Sequence, residues 1–164
     1  MKRGLLSFVA LLLLNAHAVA AELRPFVRGD MARLLAERDG RPFVMTLWSV
    51  DCPHCKGTLR QLSVLARKDV DIVVVNTDNI GERQTIAAML AATGMGRLDT
   101  WVFGDEAPER LRFEIDRRWG GEMPRTYLFD ADHKTTAVSG TLSAQLLKQW
   151  QTRNPVGGQQ SPGR

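Results

Sequence analysis

Two hydrophobic rhythms take turns along the chain. After Asp30 the stretch MARLLAERDG puts Met31, Leu34 and Leu35 on one helical face, with Asp30 placed to cap the helix and Gly40 to stop it. RPFVMTLWS, residues 41–49, is instead a short apolar run entered at Pro42, which predicts a buried strand. Helical spacing returns from Pro53 to about Arg67, where Leu59, Leu62, Leu65 and Ala66 share a face, and DIVVVNTD, residues 71–78, then supplies a β-branched run suited to the centre of a parallel sheet. Glu82 to Ala92 reads as a helix closed by Gly94 and Gly96, and Asp99 to Phe103 as a strand. Pro108 opens a helix expected to reach Trp119, because Leu111, Ile115 and Trp119 recur four apart. RTYLFD and TTAVSG, joined by a polar turn that contains His133, predict a hairpin, and Leu142 to Trp150 a last helix. Strands alternating with helices and ending in a hairpin predict an α/β fold, a mixed sheet with helices on both faces.

The two ends break this pattern. Residues 1–20 carry Lys2 and Arg3, an apolar stretch from Leu5 to Leu14, then Ala18-Val19-Ala20, which is the layout of a secretory signal peptide. The apolar stretch is about half of the ~20 residues that span a bilayer, so an uncleaved N-terminal anchor is the lesser reading. At the other end, residues 153–164 are rich in Gly, Pro and Gln and predict a disordered tail. The expected organisation is therefore a signal at 1–20, one domain over 21–152 and a tail, in an exported, periplasmic protein.

Composition alters this picture little. A 44% hydrophobic and 24% charged chain of 164 residues fits one globular domain. Removing Lys2 and Arg3 leaves 20 basic against 18 acidic residues, about +2, which gives nucleic-acid binding no support. The basic residues Lys56, Arg60, Arg67 and Lys68 read as an exposed face, and Trp101, Trp119 and Trp150 as core or helix-docking residues.

Chemistry concentrates in WSVDCPHCKGTL, which holds both cysteines, Cys52 and Cys55. A structural disulfide stabilises by closing a long loop, and this one would close a very short one, so a staple is the weak reading. With the strand ending before Cys52 and a helix expected to begin there, unpaired amides and the helix dipole favour a thiolate on Cys52, the candidate nucleophile. Cys55, three residues on, shares that side of the turn and lies deeper, the candidate resolving thiol. Pro53 suits the first helical position, and His54 adds a donor beside the Cys52 sulfur. Such a pair exchanges disulfides with protein thiols and needs no organic cofactor. Metal binding, of copper or zinc, is the competing class; it lacks ligands, since His133 in the hairpin turn is expected on the order of 20 Å from the sulfurs.

LWSVDCPHCKGTL, the IVVVNTD strand and GGEMPRTYLFD together resemble the thioredoxin fold, and more closely the exported TlpA-type thiol:disulfide oxidoreductases, over about residues 26 to 152. The resemblance implies a cis-proline at Pro124 beside the active site, with the Met123 backbone offered to a substrate strand. Trp48 is expected to pack beside the active-site turn. The helix-strand-helix segment between Asp78 and Pro124 matches the small αβ insertion of TlpA-like proteins rather than the all-helical insertion of DsbA, although Pro-His between the cysteines is shared with DsbA-type oxidants. The implied potential lies between the ~−270 mV of thioredoxin and the ~−120 mV of DsbA. Three positions depart from the pattern. Thr46 stands where relatives bury an acid, Thr58 where TlpA-type relatives often place a glutamate, and Asp51 where tryptophan is usual, altering both the thiolate's surroundings and the surface shown to a partner. The resemblance implies a monomer that is reductase-leaning, with a membrane-embedded thiol electron donor, and with apocytochromes or metallochaperones as clients. A DsbA-like disulfide donor is the alternative direction.

Overall fold

In a computed structural model the described residues are 22–104 and 107–155, so the expected signal segment and residues 156–164 of the expected tail lie outside them. Six strands and five helices follow in the order β1 (Arg24–Phe26), α1 (Asp30–Ala36), β2 (Phe43–Trp48), α2 (Cys55–Ala66), β3 (Ile72–Asn76), α3 (Arg83–Thr93), β4 (Asp99–Phe103), α4 (Pro108–Ile115), β5 (Arg125–Phe129), β6 (Thr135–Ser139) and α5 (Ala144–Arg153), with one 3₁₀ turn at Ile80–Glu82. The sheet order is β1-β4-β3-β2-β5-β6. Its first four strands run parallel, whereas β5 pairs antiparallel with β2 and β6 with β5. The expected mixed α/β sheet is therefore present, with β2 and β3 at its centre.

Alternate residues of the central strands feed two separate cores. Val44 and Trp48 of β2 and Val74 of β3 join Leu59 and Leu62 of α2, Ile86 and Leu90 of α3, and Leu147 and Trp150 of α5 on one face. Phe43, Met45 and Leu47 of β2 and Val73 and Val75 of β3 meet Leu34 of α1, Leu111 of α4 and Trp119 on the other. Because both faces are covered, β2 and β3 are buried at every position, which is why they read as unbroken apolar runs rather than as alternation.

Four departures from the sequence reading stand out. Asp30 does not cap α1: Gly29, at φ 92°, is the N-cap residue, and the Asp30 carboxylate instead accepts from the Val27 amide at 2.8 Å and pairs with Arg33. α4 stops at Ile115, short of Trp119, because Asp116 turns extended (φ −158°) and its carboxylate accepts from the Arg118 amide and binds Arg125 at 2.8 Å. Trp119 reaches the core from the loop, anchored by its Nε1–H on the Glu122 carbonyl. β1 gave no periodic signal, being three residues with Pro25 in the middle at the sheet edge. The fourth concerns α2, whose first residue is Cys55 rather than Cys52 or Pro53. α5 meanwhile reaches Arg153, and Asn154 beyond it is buried and donates its side-chain amide to the Trp150 carbonyl.

Candidate active site

β2 delivers the chain to Trp48 at its C-terminal end, and α2 takes it away from Cys55. Between them the backbone makes a tight turn in which the Cys55 amide donates to the Cys52 carbonyl at 3.2 Å, so the helix starts three residues later than the spacing suggested. Cys52 stands just outside the N-terminus of α2, on the side toward which first-turn amides point. Pro53 lies in the turn and not at the first helical position. The two sulfurs are joined in a disulfide with Cα atoms 5.4 Å apart.

Exposure separates the two cysteines. Cys55 is 1% exposed and packs with Trp48, Leu59 and Leu62, while Cys52 is partly exposed at the edge of that cluster. A reagent can reach the Cys52 sulfur and not the Cys55 sulfur, which is the asymmetry a nucleophile and a resolving thiol require. Pro53, His54 and Asp51 are all exposed around them. The His54 ring makes no hydrogen bond among the described residues, so its expected role beside Cys52 has no fixed contact behind it.

The Met123–Pro124 peptide bond is cis. Leu47 of β2 pairs with Arg125 of β5, so the next step along the ladder sets buried Pro124 across from Trp48. Met123 packs against both cores, Trp48 and Cys55 among its cluster, and its sulfur accepts a hydrogen bond from Thr77 Oγ1 at 3.3 Å. Neither the amide nor the carbonyl of Met123 has a hydrogen-bond partner among the described residues. An extended segment laid beside it would find one donor and one acceptor ready. Trp48, Cys52, Cys55, Met123 and Pro124 thus come together, and Trp48 is fully buried, which makes it a support under the turn and not a contact surface.

Beneath Cys55 the sheet carries hydroxyls. Thr46 and Thr126, both fully buried on the face covered by α2, share a 2.9 Å hydrogen bond. Thr58, on the same side of α2 one turn beyond Cys55, is 2% exposed and its hydroxyl has no partner. These hydroxyls can donate and accept hydrogen bonds but cannot take up a proton at neutral pH as a carboxylate would. Thr126 was missed in the sequence, its only signal being a polar residue on the buried face of an apolar strand. Missed too was the polar end of β3: Asn76, Thr77 and Asp78 all bond into the site, and the run NTD after IVVV was the available sign.

His133 lies at the opposite end of the sheet, in the β5–β6 turn, where its Nε2 bonds the Arg38 carbonyl at 2.9 Å. Among the described residues no three His, Cys, Asp or Glu side chains gather as a metal site. Neither a cleft of about 630 Å³ beside α4, lined by Arg28, Phe113 and Arg117, nor one of about 200 Å³ near Trp150 includes a cysteine. Lys56, Arg60, Arg67 and Lys68 are exposed along α2 and its end, as expected, and none of them pairs with an acid among the described residues.

No protein-family model and no curated protein matches the sequence. Solved structures do match the fold. A secreted disulfide oxidoreductase of Mycobacterium tuberculosis, homologous to E. coli DsbE, superposes with a TM-score of 0.55 at 20% identity, covering 72% of this chain and 85% of its own. The thioredoxin domain of a Bacteroides vulgatus thiol-disulfide oxidoreductase gives 0.55 at 15% identity over 73% and 84%. A DsbF homologue from Corynebacterium diphtheriae gives 0.53 at 17% over 73% and 75%. The fold of this chain is thioredoxin-like.

Proposed function

We propose that this chain is an exported thiol:disulfide oxidoreductase that works through Cys52 and Cys55. The observation that carries the reading is the disulfide at the β2–α2 turn, with its outer sulfur reachable, its inner sulfur buried, and a cis-proline loop with an unpaired backbone beside it. The structural neighbours described above are disulfide oxidoreductases or their homologues, which supports it.

In the reducing direction the Cys52 thiolate attacks one sulfur of a client disulfide, forming a mixed disulfide and releasing the other client sulfur as a thiolate. The Cys55 thiolate then attacks Cys52 Sγ, freeing the second client thiol and leaving the Cys52–Cys55 disulfide, to be reduced by a protein dithiol. Met123 and Pro124 would hold the client strand, Asp51, Pro53 and His54 would face it, and the proton for Cys55 would pass through hydroxyls or water. Export rests on the signal-like residues 1–20. A TlpA-like, reductase-leaning role, with a membrane-embedded thiol donor and apocytochromes or metallochaperones as clients, rests on the small αβ insertion before Pro124.

The test is insulin turbidity with dithiothreitol. The chain is expected to accelerate precipitation, Cys52→Ser to abolish the effect, and Cys55→Ala to accumulate client adducts. An unaccelerated reaction with no trapped adduct removes the proposal. Alkylation trapping in cells sets the direction: a mainly reduced pair supports a reductase and a mainly oxidised pair a disulfide donor.

A further inference from the structure

The backbone from Ser49 to His54 leaves the sheet, and nearly all of its hydrogen bonds are local. The Cys52 amide donates to the Ser49 carbonyl at 3.4 Å, the Cys55 amide to Cys52, and the Thr58 amide to His54. A single side chain from elsewhere bonds this backbone among the described residues: Asp78 Oδ2 accepts from the Val50 amide at 2.7 Å. The same oxygen accepts from Asn76 Nδ2 at 2.9 Å, and the Asp78 amide donates back to Asn76 Oδ1 at 2.9 Å. Asn76 is fully buried at the end of β3, and the neighbouring Thr77 amide donates to the Trp48 carbonyl at 2.9 Å. Asp78 is therefore a braced anchor fixed to the central sheet, gripping the loop two residues before Cys52.

In the oxidised protein the disulfide also constrains this loop. On reduction that constraint is lost, and besides the local turn bonds the grip on Val50 is the tie from the sheet that holds the Cys52 sulfur within reach of Cys55. We propose that Asp78 is a positioning residue that sets how readily the reduced pair closes. The proposal deepens the redox reading of the cysteine pair, but its measurement needs no client protein.

In a glutathione redox buffer the reduced chain and GSSG give the Cys52–Cys55 disulfide and two GSH, a balanced two-electron exchange. Asp78→Ala is expected to lower that closing constant about tenfold, which is about 30 mV for a two-electron couple. Both donors use one carboxylate oxygen, so Asp78→Asn can keep both bonds while losing the charge, and is expected to stay within about twofold of wild type. An unchanged constant in Asp78→Ala overturns the proposal; so does an equal shift in Asp78→Asn, which would assign the effect to charge. Should Asp78→Ala fail to fold, amide exchange in the reduced wild-type chain decides. The Val50 amide is expected to exchange at least about tenfold more slowly than the Asp51 amide, which has no partner, and equal rates overturn the proposal. If the constants behave as expected while insulin stays intact, the anchor stands and the client-directed function falls.

Discussion

The two ends of the central sheet are built on opposite plans. At the N-terminal ends of β2, β3 and β4 the buried Arg38 guanidinium binds Asp71 at 3.0 Å and Asp99 at 2.9 Å, its carbonyl holds His133, and Phe43 stacks on Phe129 with ring centres 4.3 Å apart. At the C-terminal ends, on the face covered by α2, ion pairs are absent among the described residues; hydroxyls, one sulfur contact and the Asp78 anchor take their place. The Arg125–Asp116 ion pair, beside Pro124 on β5, lies on the other face. One end gathers its ion pairs and ties three strands and a hairpin together. The other leaves the Met123 backbone and the Thr58 hydroxyl unpaired among the described residues. The lesson is a division: the cross-ties sit at one end of the sheet, and the open backbone and partly exposed sulfur sit at the other.

That division is open to direct attack. Arg38→Ala leaves Asp71 without its cation and Asp99 with Arg24 alone; with Asp71 about a third exposed, the loss is expected to be about 2–3 kcal/mol in urea unfolding. The glutathione closing constant of the cysteine pair should stay put, and a shift comparable to that of Asp78→Ala would show that the ends are coupled. Thr46→Val strands the Thr126 hydroxyl and is expected to cost about 1–2 kcal/mol, while the Thr46→Val/Thr126→Val double variant regains most of it, because removing both partners leaves nothing unsatisfied. A double variant worse than the single would deny that the pair is simply structural. The smallest effect is seen only in alkali. Burial pushes the Tyr127 phenol up, the Arg125 guanidinium pulls it back only in part, and it comes to rest at about 12. Tyr127 is the sole tyrosine, so phenolate absorbance reports it alone. Its folded-state value is raised, so its contribution to stability is complete below the ordinary ~10 and is lost as the pH climbs toward 12. A midpoint near 10 would mean that this part of β5 is solvated.

Acid works the other way on the neighbouring carboxylate. Burial opposes the charge on Asp116, but the Arg118 amide and the Arg125 guanidinium outweigh it and hold its pKa below the usual carboxylate value. Its contribution is therefore present at neutral pH and fades only as the pH falls below about 4.

What the sequence disclosed follows from where each signal is written. β2 and β3 were legible because burial on both faces makes a strand mostly apolar, β4 by its Trp-Val-Phe run, and the β5–β6 hairpin because a polar turn divides two β-rich runs. The α2 start was misplaced because the Cys52–Cys55 turn has helix-like spacing without helical bonds until Cys55. The end of α4 was lost since the Asp116–Arg125 pair joins residues nine apart, a contact that no local period reports. The cysteine pair announced itself by spacing and the cis bond before Pro124 by resemblance. The Asp78 grip, made across 28 residues, needed the fold.

The unpaired Met123 amide and carbonyl bear on what such a protein could choose between. Peptide groups are common to every polypeptide, so a strand docked there is judged by whether its chain is slack enough to straighten, and hardly by its spelling. Under the proposed function, selection would fall on folding state: a cysteine in a nascent or loosened protein would be admitted, and the same cysteine locked inside a finished one passed over.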